Sequence, residues 1–380
     1  MPQTLPNAFA DSLLAVLSRL LTQPGALPED WEAEATTYDL PRFYAAPEFT
    51  RRLAIAVETM LKEDIQAPET LCNLLTECGH PYDYARLGQP LSTVYELYLQ
   101  SLTGLPVAMS FASTSKPYLA VIEARQEPLK PVKLYAQGRL PLSEAKRQTL
   151  SQRHVELYED WQGPIPASDA LTVYISAGAY SEDLLEHAAD ALCFGVPEGG
   201  VLLIRRPERI DPSGIQLIRK RTVSALLASN AKAELRRIAG LPPAAQATGS
   251  QAECDQLLKQ LFPDIKACAY FCTGLAAEAA VFGATAQMMD SERPLRLFFA
   301  QNGYGGTGQL ISELLPRDGH VIPMPLQVLG RDAQGRPMTL VEHFIASLEA
   351  LGEQPAALFI ETPTNPELQV HDFAGLMQAL

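Results

Sequence analysis

From Gln251 onward, short apolar runs alternate with helix-length segments, and this alternation limits the stretch to an α/β layer around a mostly parallel, doubly wound sheet. It predicts helices over 251–262, 275–289, 340–351 and from about 307, and strands at Ala267–Cys272, Leu295–Ala300, Val321–Pro325 and 356–360. The sheet reads as unfinished at Leu380. Open α/β sheets bind ligands beyond the carboxyl ends of their strands, so the polar residues that follow each apolar run are the first candidates for a site.

Three strand ends carry such residues. Ala356-Ala-Leu-Phe-Ile360 leads into Glu361-Thr-Pro-Thr-Asn-Pro366, an acid and an amide held between prolines, where Thr364 or Asn365 could equally cap a following helix. The predicted strand at 267–272 runs through Cys272-Thr-Gly-Leu275 straight into a helix, so the free amides of its first turn and the bare Gly274 suit a phosphate. The run at 295–300 ends in Ala300-Gln-Asn-Gly-Tyr-Gly-Gly-Thr-Gly308, where flanking glycines leave the Tyr304 ring free to project as a stacking platform for a flat ligand. The same loop satisfies the dinucleotide fingerprint as Gly303-x-Gly305-x-x-Gly308, between a strand and a helix. Against an NAD(P) site, the following run Val321-Ile-Pro-Met-Pro-Leu-Gln-Val carries two prolines and no acid for a ribose hydroxyl, and Asp332 comes only in a turn.

The rest of the chain divides into 1–104, with amphipathic helices near 9–21, 49–62 and 69–78, and 105–250, a mixed region. In the latter, strands are expected at Val107–Phe111, Leu171–Ser176 and Val201–Ile204, helices at Ser181–Ala191 and Ile215–Ala239, and a linker over Ala239–Ser250. No repeat of solenoid length is visible. The chain of 380 residues is 47% hydrophobic and 19% charged, a globular balance, and its net charge of −14 with no basic run argues against a nucleic-acid partner. Six cysteines without a C-x-x-C pair, and six histidines that do not cluster with them, predict no metal site and reduced, mostly buried thiols in a cytoplasm. The apolar positions at 9–21 have helical spacing and are interrupted by Asp11 and Arg19, so a surface helix is expected there rather than a signal or membrane anchor.

Four motifs in order, Tyr84-Ala-Arg-Leu-Gly-Gln-Pro90, Thr273-Gly-Leu275, Tyr304-Gly-Gly-Thr307 and Glu361-Thr-Pro-Thr-Asn-Pro366 with Val370-His-Asp372 behind it, resemble those of the Cys/Met-metabolism enzymes that depend on pyridoxal 5'-phosphate (PLP). This is the cystathionine γ-synthase, cystathionine γ-lyase and methionine γ-lyase group. The spacings of 31 residues from Thr273 to Tyr304 and 57 from Tyr304 to Glu361 are compatible with it, and the resemblance is close over 251–380 and patchy before. It implies the large domain of the aspartate-aminotransferase-like fold (fold type I), incomplete at its C-terminus and preceded by a long α+β N-terminal region. It further implies that the amides at Thr273, Gly274 and Leu275 hold the cofactor phosphate, that Tyr304 stacks on the pyridine and serves as acid or base, and that Asn365 binds the ring hydroxyl with Glu361 in support. Tyr84 and Arg86 would reach a neighbour's phosphate across the interface of a homodimer or homotetramer. The substrate would be a small amino acid, an activated homoserine for γ-replacement or a thioether for C–S elimination.

Departures accompany the matches. The interval from Arg86 to Thr273 is longer than the family's usual gap, as though a domain were inserted or the N-terminal half rebuilt. Ser110-Phe-Ala-Ser-Thr114 is a second candidate phosphate turn, without the glycine, and Gln89 and Leu91 stand where the family shows Asn and Thr. PLP chemistry needs a lysine to hold the cofactor as a Schiff base, and of the nine lysines (62, 116, 130, 133, 146, 220, 232, 259, 266) none follows Glu361. The chain therefore reads as the front part of a longer enzyme, or as a regulatory homologue without the lysine.

Overall fold

A computed structural model describes residues 8–33, 43–243, 250–288, 293–332, 334–365 and 368–379. The chain forms two compact units, Met1–Leu142 with Leu150–Cys272, and Ser143–Thr149 with Thr273–Leu380.

The first unit opens with helices α1 (Ala8–Thr22), α2 (Glu29–Glu32), α3 (Ala46–Lys62), α4 (Pro68–Thr76) and α5 (Pro90–Thr103). The apolar face of α1 buries Leu13, Val16, Leu17 and Leu20 against α3, α5 and α9 (Ala228–Ile238). Each such side chain contributes about 1.5–3 kcal/mol of burial. Buried Trp31 lies 5.8 Å from the Phe49 ring in the same core. A further group follows: β1 (Val107–Phe111), α6 (Lys116–Glu123), β2 (Val132–Ala136), α7 (Glu144–Gln152), whose residues up to Thr149 count with the second unit, β3 (Val155–Tyr158), β4 (Leu171–Ile175), β5 (Ala191–Val196), β6 (Gly199–Ile204) and α8 (Pro212–Thr222). The segments 1–104 and 105–250 thus share one hydrophobic core.

The six strands form one sheet in the order β1-β6-β5-β4-β2-β3. β3, β2, β4 and β5 are mutually parallel, and β6 runs antiparallel between β5 and β1. Continuous apolar runs such as Leu171-Thr-Val-Tyr-Ile175, buried at every position, are what parallel strands covered on both faces require. Gly199 is needed where β6 enters: a Cβ there would strike the Phe111 carbonyl of β1.

One buried ion pair ties three of these elements and the turn before α5. Arg219 of α8, fully buried, donates through Nη1 to Glu96 Oε1 of α5 (2.5 Å) and to the Ser110 carbonyl of β1 (2.9 Å), and through Nη2 to the Leu87 carbonyl. Glu96 Oε1 also accepts from the Ser110 amide (2.8 Å) and hydroxyl (2.7 Å).

Helix α10 (Gln251–Leu261) buries none of its side chains. The second unit runs α11 (Gly274–Met288), β7 (Leu295–Ala300), α12 (Gly305–Gln309), β8 (Val321–Leu326), β9 (Leu329–Arg331), β10 (Pro337–Thr339), α13 (Leu340–Leu351), β11 (Ala356–Phe359) and α14 (Phe373–Ala379). Its sheet is β11-β7-β8, all parallel, with β9 and β10 as a separate antiparallel pair. α13 starts with a capping box, Thr339 Oγ1 accepting from the Glu342 amide (3.2 Å) while Glu342 accepts from the Thr339 amide (2.7 Å).

Several expectations are corrected. Residues 267–272 form no strand: among the described residues no neighbour pairs with them, and most stay exposed. The helix expected at 181–191 is a short 3-10 turn at Glu182–Glu186, and Ala191 instead begins β5. The long helix at 215–239 is two, broken at Val223–Leu227. Cys78 and Cys193 are buried, but Cys254 and Cys272 are exposed. The linker assigned to 239–250 falls partly outside the described residues, as does Pro366.

Candidate functional site

The sheet of the second unit has a topological switch. From β7 the chain passes to β8 on one side and then returns to β11 on the other, so the crevice between the carboxyl ends of β7 and β11 is where an α/β sheet presents ligand-binding groups. The loops at that crevice are Ala300–Tyr304 and Ile360–Asn365.

Glu361 organises the crevice. Its Oε2 accepts from the Tyr304 amide at 2.8 Å and from the Asn365 amide at 3.3 Å, joining two motifs far apart in sequence. Thr364, fully buried, fixes the rest of the turn: its amide donates to the Gln369 carbonyl (3.0 Å), and its hydroxyl accepts from the Gln369 amide (3.0 Å). Asn365 is left exposed at the rim. A second tie comes from the Asn302 side-chain amide, which donates to Gln369 Oε1 at 2.8 Å.

The Tyr304 ring does not project from its loop as the flanking glycines suggest. It folds over the start of α12, where a Cβ at Gly306 would clash with the ring carbons and meet Leu275 Cδ1 at 3.0 Å. Gly306 is therefore required by the packing of Tyr304 and Leu275, and that packing brings the first turn of α11 beside the Tyr304 loop. Thr307 reinforces this approach by donating its hydroxyl to Glu278 Oε2 at 2.7 Å. Glu278 was missed from sequence; the signal was its being the single charged residue in the apolar helix 274–288.

At the start of α11, Thr273 Oγ1 accepts from the Ala276 amide (3.0 Å), a side-chain N-cap. The amides of Gly274 and Leu275 belong to the first turn, where no intrahelical acceptor exists. A Cβ at Gly274 would meet nothing within 4 Å, so an incoming group has open access to those amides. The space enclosed by Phe299, Gly303, Tyr304, Thr307, Phe359 and Glu361 is about 10 Å³, room for no more than a water. A ligand would therefore lie on the outer side of this cluster.

The dinucleotide alternative fares poorly here. The Glu361 carboxylate already holds the Tyr304 amide, in the glycine loop where a pyrophosphate would have to approach, and it would repel one. Gly308, whose counterpart in that fingerprint allows close helix–strand contact, sits so that a Cβ would be an ordinary 4.0 Å from Phe299.

Tyr84 and Arg86 lie in the first unit, on the turn before α5. Arg86 Nε donates to the Lys220 carbonyl (2.9 Å) and its Nη2 to the Tyr84 hydroxyl, with the guanidinium 4.4 Å from the Tyr84 ring centre. Lys220 Nζ lies 4.6 Å from the same ring. The turn is thus rigid and cationic.

No protein-family model matches the chain, and no curated protein sequence matches it. Solved structures do. A cystathionine gamma synthase from Xanthomonas oryzae pv. oryzae, in complex with cystathionine, is similar over 50% of this chain and 60% of its own, at 14% identity and a TM-score of 0.32. A putative O-acetylhomoserine (thiol)-lyase from Campylobacter jejuni subsp. jejuni, containing N'-pyridoxyl-lysine-5'-monophosphate, is similar over 41% and 57%, at 16% identity and a TM-score of 0.29. For a methionine gamma lyase from Micromonospora echinospora the values are 42%, 55%, 14% and 0.31. The match spans 60% or less of the length of each of these three enzymes. Among the described residues, no helix is long and apolar enough to cross a membrane.

Proposed function

We propose that the chain belongs to a PLP-dependent enzyme of sulfur amino-acid metabolism, acting on an activated homoserine by γ-replacement or on a thioether by C–S elimination. The observation that carries this reading is the Glu361 carboxylate, which gathers Tyr304 and Asn365 at the switch point of the sheet while Gly306 brings the Thr273 turn alongside. Three of the four motifs of the resemblance support the reading by meeting around that crevice, while the Tyr84–Pro90 motif belongs to the first unit.

The groups present suit the phosphate and the ring of the cofactor. The first-turn amides of α11 would take the phosphate, in line with the affinity of helix N-termini for anions. Tyr304 would cover one face of the pyridine, and its hydroxyl would exchange a proton with the substrate's leaving group. The Asn365 side-chain amide would meet the ring hydroxyl, positioned through the bond from its own backbone to Glu361. Bound PLP supplies the electron sink for bond cleavage next to the amino acid's α-carbon. No lysine lies between Thr273 and Leu380, so these residues would hold the cofactor without a covalent bond from this segment. Tyr84 and Arg86, as a preformed cationic turn, would bind the phosphate in a neighbouring subunit.

The test is a binding titration on the 380-residue chain with PLP, with pyridoxal, which lacks the phosphate, and with NAD. PLP should bind at least about tenfold more tightly than pyridoxal, because charge-assisted hydrogen bonds to phosphate are each worth about 1.5–3 kcal/mol. Tyr304→Ala should weaken PLP binding more than Tyr304→Phe, which keeps the ring. A chain that binds NAD and ignores PLP refutes the assignment.

A further inference from the structure

The two units share an arrangement of three parallel strands. In the first, β2 is flanked by β3 and β4, all parallel; in the second, β7 is flanked by β8 and β11, all parallel and entered in the same chain order. Each set is preceded by a helix, α6 and α11, and short sequence pairs recur in the same order. Phe111-Ala-Ser113 answers Phe271-Cys-Thr273, Ala120-Val121 answers Ala280-Val281 within the helix, Ala136-Gln137 answers Ala300-Gln301 after the first strand, and Ile175-Ser176 answers Ile360-Glu361 after the third. The second copy carries Tyr304 three residues after Gln301; the first carries Leu140 at that place, with Arg139 just before it.

The first copy has the roomier crevice. At the carboxyl ends of β2, β4 and β5 lies a cavity of about 280 Å³, walled by Tyr118, Leu140, Ile175 and Phe194 and edged by Arg139 and Ser176. Among the described residues no carboxylate lines it, in a chain whose net charge is −14. Glu159 reaches the wall from outside the lining, its Oε1 accepting from the Leu140 amide at 2.6 Å. Arg139 is exposed and, among the described residues, makes no hydrogen bond or ion pair. Gln137 plays the part that Glu361 plays in the other copy: its Oε1 accepts from the Ala177 amide (3.0 Å) and the Ser176 hydroxyl (3.2 Å), joining the loops after β2 and β4 without placing a negative charge there.

We infer that this crevice is a second ligand site, for a phosphate monoester with a small apolar body, bound without chemistry. The guanidinium fork of Arg139 matches a phosphate's oxygens, the Thr114 side chain adds a polar group at the α6 end of the crevice, and the apolar walls take the organic part. Among the described residues the lining holds no lysine and no acid, and the role inferred is binding, which would regulate the chain through a phosphorylated metabolite.

The experiment uses the whole chain, titrated with phenyl phosphate and with inorganic phosphate. Both tryptophans, Trp31 and Trp161, belong to the first unit, and the Trp161 amide donates to the Ala136 carbonyl at the cavity's edge (2.8 Å), so tryptophan fluorescence reports this site. Phenyl phosphate should shift the fluorescence and bind more tightly than inorganic phosphate. Arg139→Met should weaken both by about tenfold or more, Arg139→Lys by less, since it keeps the charge and loses the fork. Tyr304→Ala should leave the fluorescence titration unchanged. Equal affinity in Arg139→Met, no fluorescence response to either ligand at millimolar concentration, or loss of the response in Tyr304→Ala overturns the inference.

Discussion

Removing Arg219 while leaving Glu96 in place should unfold the first unit under conditions the parent chain survives. The guanidinium is fully buried and makes hydrogen bonds to Glu96, the Ser110 and Leu87 carbonyls and Gln216 Oε1. Arg219→Met fills much of the volume but strands a carboxylate that is only 5% exposed. Breaking a buried pair from one side costs about 3–5 kcal/mol, whereas replacing both partners by groups of similar size is often near neutral. The double variant Glu96→Gln/Arg219→Met should therefore recover to within about 2 kcal/mol of the parent, the introduced side-chain amide still being able to accept from Ser110. Urea denaturation followed by tryptophan fluorescence reads the first unit alone, since both tryptophans are there. With a urea dependence of about 3 kcal/mol per molar, the single variant's midpoint should fall by about 1–1.7 M. A single variant within about 1 kcal/mol of the parent, or a double variant no better than the single, refutes the claim that this pair holds α5, β1 and α8 together.

Glu361→Ala should lower PLP affinity by about tenfold by freeing the Tyr304 and Asn365 loops, and Glu361→Gln, which keeps an acceptor, by less; titration of the two variants against the parent decides it. Burial pushes the Cys78 thiol from near 9 up to about 12, so the folded chain resists ionising it: that stability is full below pH 9 and is lost as pH rises toward 12, and Cys78→Ala should flatten this alkaline part of the urea-midpoint profile. Cys254 and Cys272 should react with a thiol reagent in the native chain, while Cys78 and Cys193 react only after denaturation, as counted by mass spectrometry. If Tyr84 and Arg86 serve a neighbour's phosphate, Arg86→Ala should reduce PLP affinity about tenfold only at concentrations where sedimentation shows an oligomer.

The sequence was most legible where local signals agreed. α13 falls on the residues expected because a capping box, an apolar stripe and Gly352 mark both its ends and its face. α5 went unseen for the opposite reason: nearly every residue from Pro90 to Ser101 is buried, which erases the amphipathic period. β5 was lost in a polar approach that read as helix, and a two-residue turn with Glu198 at φ 58° sends the chain back as β6. At the candidate site, the residue types and their order could be read, but the contacts could not. That Glu361 bonds the Tyr304 amide, and that the ring folds over Gly306 instead of standing clear, are long-range facts that no window of sequence contains.

The two prolines of β8 have a consequence for how this sheet meets other chains. The His320 and Leu326 carbonyls accept from the Leu295 and Gln301 amides, so the even-numbered positions of β8 face β7 and the odd-numbered ones face outward. Pro323 and Pro325 are therefore outward positions, and the free edge lacks two of the donors that an added strand would need. Strand addition, and with it edge-to-edge aggregation, is blocked on that side, leaving β11 as the edge at which this three-stranded sheet can be extended.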